Sequence, residues 1–482
     1  MTPALVFALL LLPAAAGAGS APVPHEGPAW DLAKGPPNVD AGGRFLVHAD
    51  GTPFLWLGDT AWELFHRTTR EDAELYLETR RRQGFTVIQA VALAEFDGLG
   101  TPNAYGHRPL LGNDPAGPDL RPGPRDDYWD HVDFVIGRAA EKGLFVGLLP
   151  TWGDKVWKAA WGKGPEVFTA DNARAYGRFV GGRYRDAPNV IWILGGDRTP
   201  VTAERDYRDV WRAMAAGIAE AGAGQLMTYH PGGGSSSSRH LHGEPWLDFN
   251  MIQSGHAAKD IANDDYVTAD LMLLPPKPTL DGEPRYEDHP VDWDAAKGWM
   301  DDYDVRQAAY WAVFAGAFGH TYGCHDVWQF LEPGREAVSA ARTPWRAAVE
   351  LPGAWQVLHL RRLLLSRPFA TRVPDPTFLR EGQGSGADRV VVSRDQEGRF
   401  AFVYVPTGRR VSVKLEKMRG PRTRASWFNP RTSETTVVGE YGAADRPSFL
   451  PPGRAGRGND WVLVLDDVAA GFSPPGAPVA PR

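Results

Sequence analysis

Eight apolar runs of strand length, separated by amphipathic stretches of helix length, recur between residues 53 and 326, and this alternation leaves few folds open to the chain. The runs are "PFLWLGD" (53–59), "FTVIQAVAL" (85–93), "GLFVGLLPTW" (143–152), "NVIWILGGD" (189–197), "QLMTYHPGG" (225–233), "LDFNMIQSGH" (247–256), "KPTLDGE" (277–283) and "GHTYGCHD" (319–326). Helices are predicted between them, opening near Thr69, Asp126, Thr169, Thr202 and Asp304, where Thr or Asp supplies the cap that orphan N–H groups favour. Eight parallel strands are the number that closes a (β/α)8 TIM barrel, so an α/β barrel is the expected fold.

Past Pro368 the pattern changes to short β-like runs with turns, among them "RVVVSRD", "GRFAFVYVP", "RASWFNPRT" and "DWVLVLDD", spaced as in a small all-β sandwich. The N-terminus carries an apolar run from Ala4 to Leu12 and then Ala16-Gly17-Ala18, the pattern of a cleaved secretory signal. The expected organisation is a signal over 1–18, a linker over 19–42, the barrel over 43–366, the sandwich over 367–470 and a disordered Pro-rich tail over 471–482. Export to a periplasm or the cell exterior follows, without a membrane-inserted segment, since the run is too short to span a bilayer. Cys324 is the single cysteine, so no intramolecular disulfide is expected. A net charge of −7 and the lack of a basic run argue against a nucleic-acid partner. The 18 Trp, 14 Tyr and 21 Phe are a heavy aromatic load, and aromatic faces in clefts are one way to bind sugar rings.

In a barrel of this kind the chemistry sits where strands end and βα loops begin. Asp59, Trp62, Glu95, Trp152, Asp197, His230, Gln253, His256, Glu283 and Trp328 all fall at or just past such ends, with Tyr105 in the long loop after the second strand. Two carboxylates at one rim suit glycosidic bond cleavage, in which one acid protonates the leaving oxygen and a second carboxylate attacks or stabilises the oxocarbenium-like centre. Asp197 and Glu283 lie 86 residues apart (283 − 197), close to three βα units at roughly 30 residues each, which puts them on the fourth and seventh strands.

The stretches "GRFLVHADGTPFLWLGDTAWELF", "QGFTVIQAVAL", "NVIWILGGDR", "MTYHPGGGSSS", "DFNMIQSGH" and "KPTLDGEPRYE" resemble the apiosidase-like enzymes (domain of unknown function 4038) of glycoside hydrolase family 140, from about Gly43 to about Leu364. The resemblance implies a (β/α)8 barrel that removes the branched pentose apiose from the plant pectin rhamnogalacturonan II. It also implies that Asp197 of "GGD" is the general acid/base and Glu283 of "DGEP" the nucleophile; net retention of configuration is expected if the two carboxyls lie about 5–5.5 Å apart and inversion if about 6.5–9.5 Å. Asp59, Trp62, Glu95, Tyr105, Trp152, His230, Gln253, His256 and Trp328 are the expected substrate contacts. The C-terminal region resembles the collagen-binding domain described for this family. One departure is plain: many related barrels carry Asn-Glu at the fourth strand end, whereas this chain has Gly196-Asp197, a shorter acid.

No cofactor or metal is expected; the partner is an oligosaccharide or polysaccharide. Two rival functions remain in view. A noncatalytic carbohydrate-binding or adhesion protein would keep the aromatics without needing both acids. A metal hydrolase would draw on His320, His325 and Asp326, but no H-E-x-x-H spacing is present. No G-x-S-x-G elbow suggests a serine hydrolase.

Overall fold

The computed structural model describes residues 23–159 and 161–477, so the expected signal peptide lies outside the described residues. Eight strands form the barrel: β1 (Trp56–Thr60), β2 (Val87–Leu93), β3 (Phe145–Thr151), β4 (Val190–Gly195), β5 (Met227–His230), β6 (Asn250–Gln253), β7 (Thr279–Asp281) and β8 (Gly319–Tyr322). Parallel ladders run from β1 through β5, and from β6 through β8 back to β1. Between β5 and β6 the ring is joined by sparser bonds: the Asp248 N–H donates to Met227 O (2.9 Å) and the Thr228 hydroxyl to Phe249 O (2.6 Å). A two-residue strand, Ser235–Ser236, pairs antiparallel with β6 at this seam.

The strands are buried on both faces, which is why they read in sequence as continuous apolar runs rather than as alternation. The period of two survives in where the side chains go. In β4, Ile191 and Ile193 join the cluster around Trp56, while Val190, Trp192 and Leu194 join the cluster under the helices. Trp56 donates its indole N–H to the Thr321 hydroxyl (3.0 Å).

Seven helices of eight residues or more accompany the strands among the described residues: α1 (Arg70–Arg82), α2 (Tyr128–Glu141), α3 (Ala170–Tyr184), α4 (Arg208–Glu220), α5 (Asn263–Leu271), α6 (Asp302–Phe314) and α7 (Pro352–Leu365). Thr69, Asp127, Thr169 and Asp301 close reciprocal capping boxes at four of them. Helix α4 starts at Arg208 rather than near Thr202, because the Thr202 hydroxyl accepts the Glu204 and Arg205 N–H groups and closes a local turn instead.

The C-terminal region is a six-stranded antiparallel sheet of β9 (Arg372–Pro374), β10 (Val391–Asp395), β11 (Phe400–Val405), β12 (Arg422–Phe428), β13 (Thr435–Gly442) and β14 (Trp461–Asp467), ordered β9-β10-β11-β14-β12-β13. Alternation is clear here. Ala401, Val403 and Val405 face a small core with Phe449 and Leu415, whereas Phe400, Phe402 and Tyr404 face the barrel. Helix α6 is the contact: Tyr310 stacks on Tyr404 (4.8 Å) and Phe314 on Phe402 (5.6 Å), and Arg306 forks onto Asp460 (2.9 and 3.1 Å). Covered on both sides, α6 is buried at every position after its first.

Two expected segments differ from the structure. Residues 23–42 are packed rather than a free linker: the Ala29 and Trp30 N–H groups donate to Lys142 O and to Gly143 O, and Trp30 stacks on Phe54 (5.7 Å). The described part of the tail, 471–477, is ordered against the sheet, where Phe472 meets Phe400 (6.0 Å) and Arg367 covers the Phe472 ring (4.7 Å). Phe472, half-buried on that sheet, is the contact that holds this Pro-rich stretch.

Candidate active site

The end of β4 turns through three successive residues with positive φ: Gly195 (89°), Gly196 (112°) and Asp197 (53°). The first two must be glycine. A Cβ on Gly195 would stand 2.4 Å from His230 O, and one on Gly196 2.8 Å from the Trp152 ring. Asp197 takes the left-handed conformation that costs a side-chain-bearing residue free energy, and such strain concentrates at functional sites. Three contacts hold it there. Its backbone N–H donates to His230 Nδ1 (3.1 Å), the Arg198 guanidinium donates to its carbonyl (2.7 Å), and the Trp161 indole N–H donates to its Oδ2 (3.0 Å).

Glu283 follows β7, with its backbone placed by neighbours from two other strands, β6 and β2. The Glu283 and Gly282 N–H groups donate to Ile252 O, the Gly255 N–H donates to Glu283 O (3.0 Å), and the Gln89 amide reaches across from β2 to Gly282 O (2.9 Å). Beneath it Asp281, fully buried, accepts from the Ser254 hydroxyl and the Asn263 amide (2.8 Å each). The Glu283 carboxyl meets two imidazoles: His256 Nε2 lies 3.1 Å from Oε1, and His230 Nε2 lies 2.8 Å from Oε2, off the line of an ideal hydrogen bond. His230 therefore links the Asp197 backbone to the Glu283 carboxyl. Because its Nδ1 accepts from the Asp197 backbone, its proton belongs on Nε2, facing Glu283.

The two carboxyls are driven apart in acidity. Burial first, and then the negative charge of Glu283, raise Asp197 above the ordinary aspartate value. Burial would raise Glu283 as well, but the N–H groups of His230 and His256 outweigh it and hold this acid down at about 2. The two neighbouring acids are thus shifted in opposite directions, Asp197 up and Glu283 down. Glu95, half-buried at the end of β2, belongs to the same field: burial first and then the Asp197 charge hold it well above the usual carboxylate range.

Several expected substrate contacts have other partners. Asp59 has no exposed surface; it accepts from Arg80 Nε (2.7 Å) and from the Tyr76 hydroxyl under helix α1, which removes it from the set of sugar contacts. The half-buried Tyr105 accepts the Arg70 N–H on its hydroxyl (2.7 Å), which ties the long loop to the start of α1. His230 and His256, 0% and 3% exposed, hold Glu283. Trp62 and Trp152, each 2% exposed, pack on one another (5.1 Å) and on His230 (5.4 and 5.8 Å), forming a floor rather than a stacking platform. Trp328 lies beside Phe96 (5.3 Å) and donates to His325 Nδ1 (3.3 Å). Gln253, at the end of β6, has a buried Oε1 without a partner among the described residues. His325 also directs Nε2 at Val338 O and Ser339 O, so both of its nitrogens are engaged.

Sequence reasoning missed Tyr286, Trp161 and Trp293. Tyr286 packs on His256 (4.4 Å), and burial first and then the Glu283 charge keep it a neutral phenol. The motif "GEPRYE" contains it, but nothing in the spacing tells a site tyrosine from a core one. Trp293, 54% exposed, stands edge-on to His256 and His289 (5.4 Å each) on the Glu283 side.

The "Apiosidase-like, catalytic domain" family model matches residues 40–371, and the "Putative collagen-binding domain of a collagenase" model matches 373–466. A solved structure described as a glycoside hydrolase is 35% identical, with a TM-score of 0.83 over 91% of this chain and 98% of that one. A glycoside hydrolase family 5 structure from Bacteroides vulgatus ATCC 8482 is 33% identical, with a TM-score of 0.84 over 91% and 95%. A GH27 β-L-arabinopyranosidase from Geobacillus stearothermophilus, 12% identical with a TM-score of 0.51 over 92% and 98%, shares the fold alone. No curated protein matches the chain. The first model covers well over half of the sequence and the pair of acids lies at the mouth of the barrel: the chain is a glycoside hydrolase and belongs to the apiosidase-like family.

Proposed function

We propose that this enzyme removes a terminal sugar, apiose, from a pectic polysaccharide of the plant cell wall with retention of configuration, and that it works after export, outside the cytoplasm. The observation that supports the mechanism is a single imidazole, His230, that accepts the Asp197 backbone N–H on one side and faces the Glu283 carboxylate on the other, with the Asp197 acid shifted up and Glu283 held down at about 2.

In the first step a Glu283 oxygen attacks the anomeric carbon while the glycosidic C–O bond breaks and the Asp197 proton passes to the leaving oxygen. The product is a glycosyl ester on Glu283 and an Asp197 carboxylate. In the second step water adds to the anomeric carbon, Asp197 takes its proton, and the ester C–O bond breaks to restore Glu283. A carboxylate with a pKa of about 2 is a good leaving group for that second step. Asp197 alternates between acid and base, and its raised acidity range suits a group that must gain and lose a proton each turnover. Glu95 and Gln253 are the polar side chains that best fit sugar hydroxyls, since Glu95 is disposed to stay protonated and to donate, and Gln253 has an acceptor to spare. Tyr286, whose phenol stays neutral beside Glu283 and whose hydroxyl has no partner among the described residues, suits a donor to a sugar oxygen. The C-terminal sheet acts as a brace on α6.

Incubating the purified enzyme with pectic oligosaccharides and identifying the monosaccharide released tests the substrate. Free apiose is the expected product. Release of a different sugar overturns the substrate, and binding without any released sugar favours the noncatalytic alternative.

A further inference from the structure

The tryptophan bound to the acid is unusual for its exposure. Trp161 is 60% exposed, yet its ring is fixed on two sides: its N–H donates to Asp197 Oδ2 (3.0 Å), and the Arg198 guanidinium lies over its face at 4.7 Å. The loop that carries it is braced from within. Arg198, 1% exposed, donates to Lys158 O (2.9 Å), and the fully buried pair Asp154 and Lys155 (2.7 Å) holds the next turn, where Asp154 Oδ2 accepts the Lys163 and Gly164 N–H groups. Gly162 permits the close approach, because a Cβ there would stand 2.2 Å from Lys158 O. A large apolar ring is thus held rigidly with much of its surface turned to solvent, beside the group that hands over the proton.

Position decides what the open surface meets. The proton from Asp197 goes to the oxygen that leaves, so the sugar carrying that oxygen must come within one ring of Asp197 Oδ1, on the side away from Glu283. Trp161 occupies that neighbourhood, whereas the other exposed tryptophan, Trp293, stands on the Glu283 side against His256. An indole face with a cation behind it suits the C–H face of a pyranose or furanose ring.

We propose that Trp161 is the platform of the leaving-group subsite: its open face stacks on the sugar residue from which the terminal sugar is cut, and its N–H holds Asp197 in line for proton transfer. This rests on Asp197 being the general acid. Trp161 makes no bond to the reacting carbon, so its effect is on binding of the leaving group and on Asp197.

Two variants and two substrates test it: a pectic oligosaccharide ending in apiose, and apiosyl fluoride, whose leaving group is a single atom that fills no leaving-group subsite. Trp161→Ala is expected to raise KM for the oligosaccharide about 5–10-fold, the range of an aromatic contact, while leaving KM for the fluoride near the parent value. Trp161→Phe is expected to keep the oligosaccharide KM and to move the basic limb of kcat/KM to higher pH, since the lost N–H favoured ionised Asp197. Unchanged KM and an unchanged basic limb in both variants overturn the inference, as does an equal loss on both substrates. Asp197→Asn separates the two levels: if it is inactive on the oligosaccharide while Trp161→Ala behaves as the parent, only the platform fails, and if Asp197→Asn retains full turnover, the assignment of the acid fails first.

Discussion

Replacing His230 separates its two jobs, because Asn places an oxygen as many bonds from Cα as imidazole Nδ1, and Gln places a nitrogen as many bonds from Cα as Nε2. His230→Asn keeps an acceptor for the Asp197 N–H and loses the 2.8 Å contact to Glu283; His230→Gln does the reverse. A hydrogen bond to a charged group contributes about 1.5–3 kcal/mol, which sets a fall in kcat/KM of about 10–150-fold for His230→Asn. The direction of the pH effect follows from the sign of the shift. Glu283 is held down at about 2 in part by this imidazole, and in the proposed reaction it must be ionised to attack, so activity is expected to be lost as pH falls through that value. Without His230 the acid limb moves up to about pH 3–4. His230→Gln is expected to leave the acid limb low and to destabilise the fold by about 1–3 kcal/mol, because the Asp197 N–H loses its acceptor. The assay is kcat/KM for 4-nitrophenyl apioside across pH, with thermal unfolding of each variant. Identical acid limbs in His230→Asn and the parent would refute the claim that this ring sets the ionisation of Glu283.

Further expectations concern single groups. Asp197→Asn removes the proposed proton donor and should cost about 10²–10⁴-fold in turnover of oligosaccharide, with a smaller loss on an aryl apioside whose leaving group needs little protonation, as steady-state kinetics on both substrates would show. Asp59→Asn leaves the fully buried Arg80 without its charge partner and should cost about 3–5 kcal/mol in chemical unfolding, while the activity of the folded fraction stays at the parent value. Phe402→Ala removes a ring stacked on Phe314 between barrel and sheet and should cost about 3–5 kcal/mol by urea titration, with both parts losing structure in one transition.

The barrel was legible because a strand covered on both faces must be apolar throughout, and eight such runs stand out against charged helices. Their ends were less so: the run 277–283 yields a strand only over Thr279–Asp281, since Gly282 and Glu283 turn out to meet the β6 loop. Asp197 and Glu283 could be placed at one rim because strand ends converge in any such barrel. Asp59 sits at a strand end too, but its side chain turns to Arg80, 21 residues on, a partner that only packing reveals. Trp62 and Trp152 share that fate, as the rim positions they occupy are roofed by His230. Trp161 was missed for the opposite reason. It lies in a loop without periodicity, and its place follows from Arg198 and from the buried Asp154 and Lys155 pair rather than from its own neighbours in sequence.

A glycosyl ester formed at Glu283, with Asp197 as the acid, is the central intermediate of the proposed reaction. Hydrolysis of an apioside carrying fluorine next to the anomeric carbon, followed by peptide mass spectrometry, together with NMR of the anomer first released from the unmodified substrate, tests it most directly. The expected result is one sugar adduct on Glu283 and a first product of unchanged anomeric configuration. An inverted first product, or an adduct on Glu95 or any other residue, would contradict it.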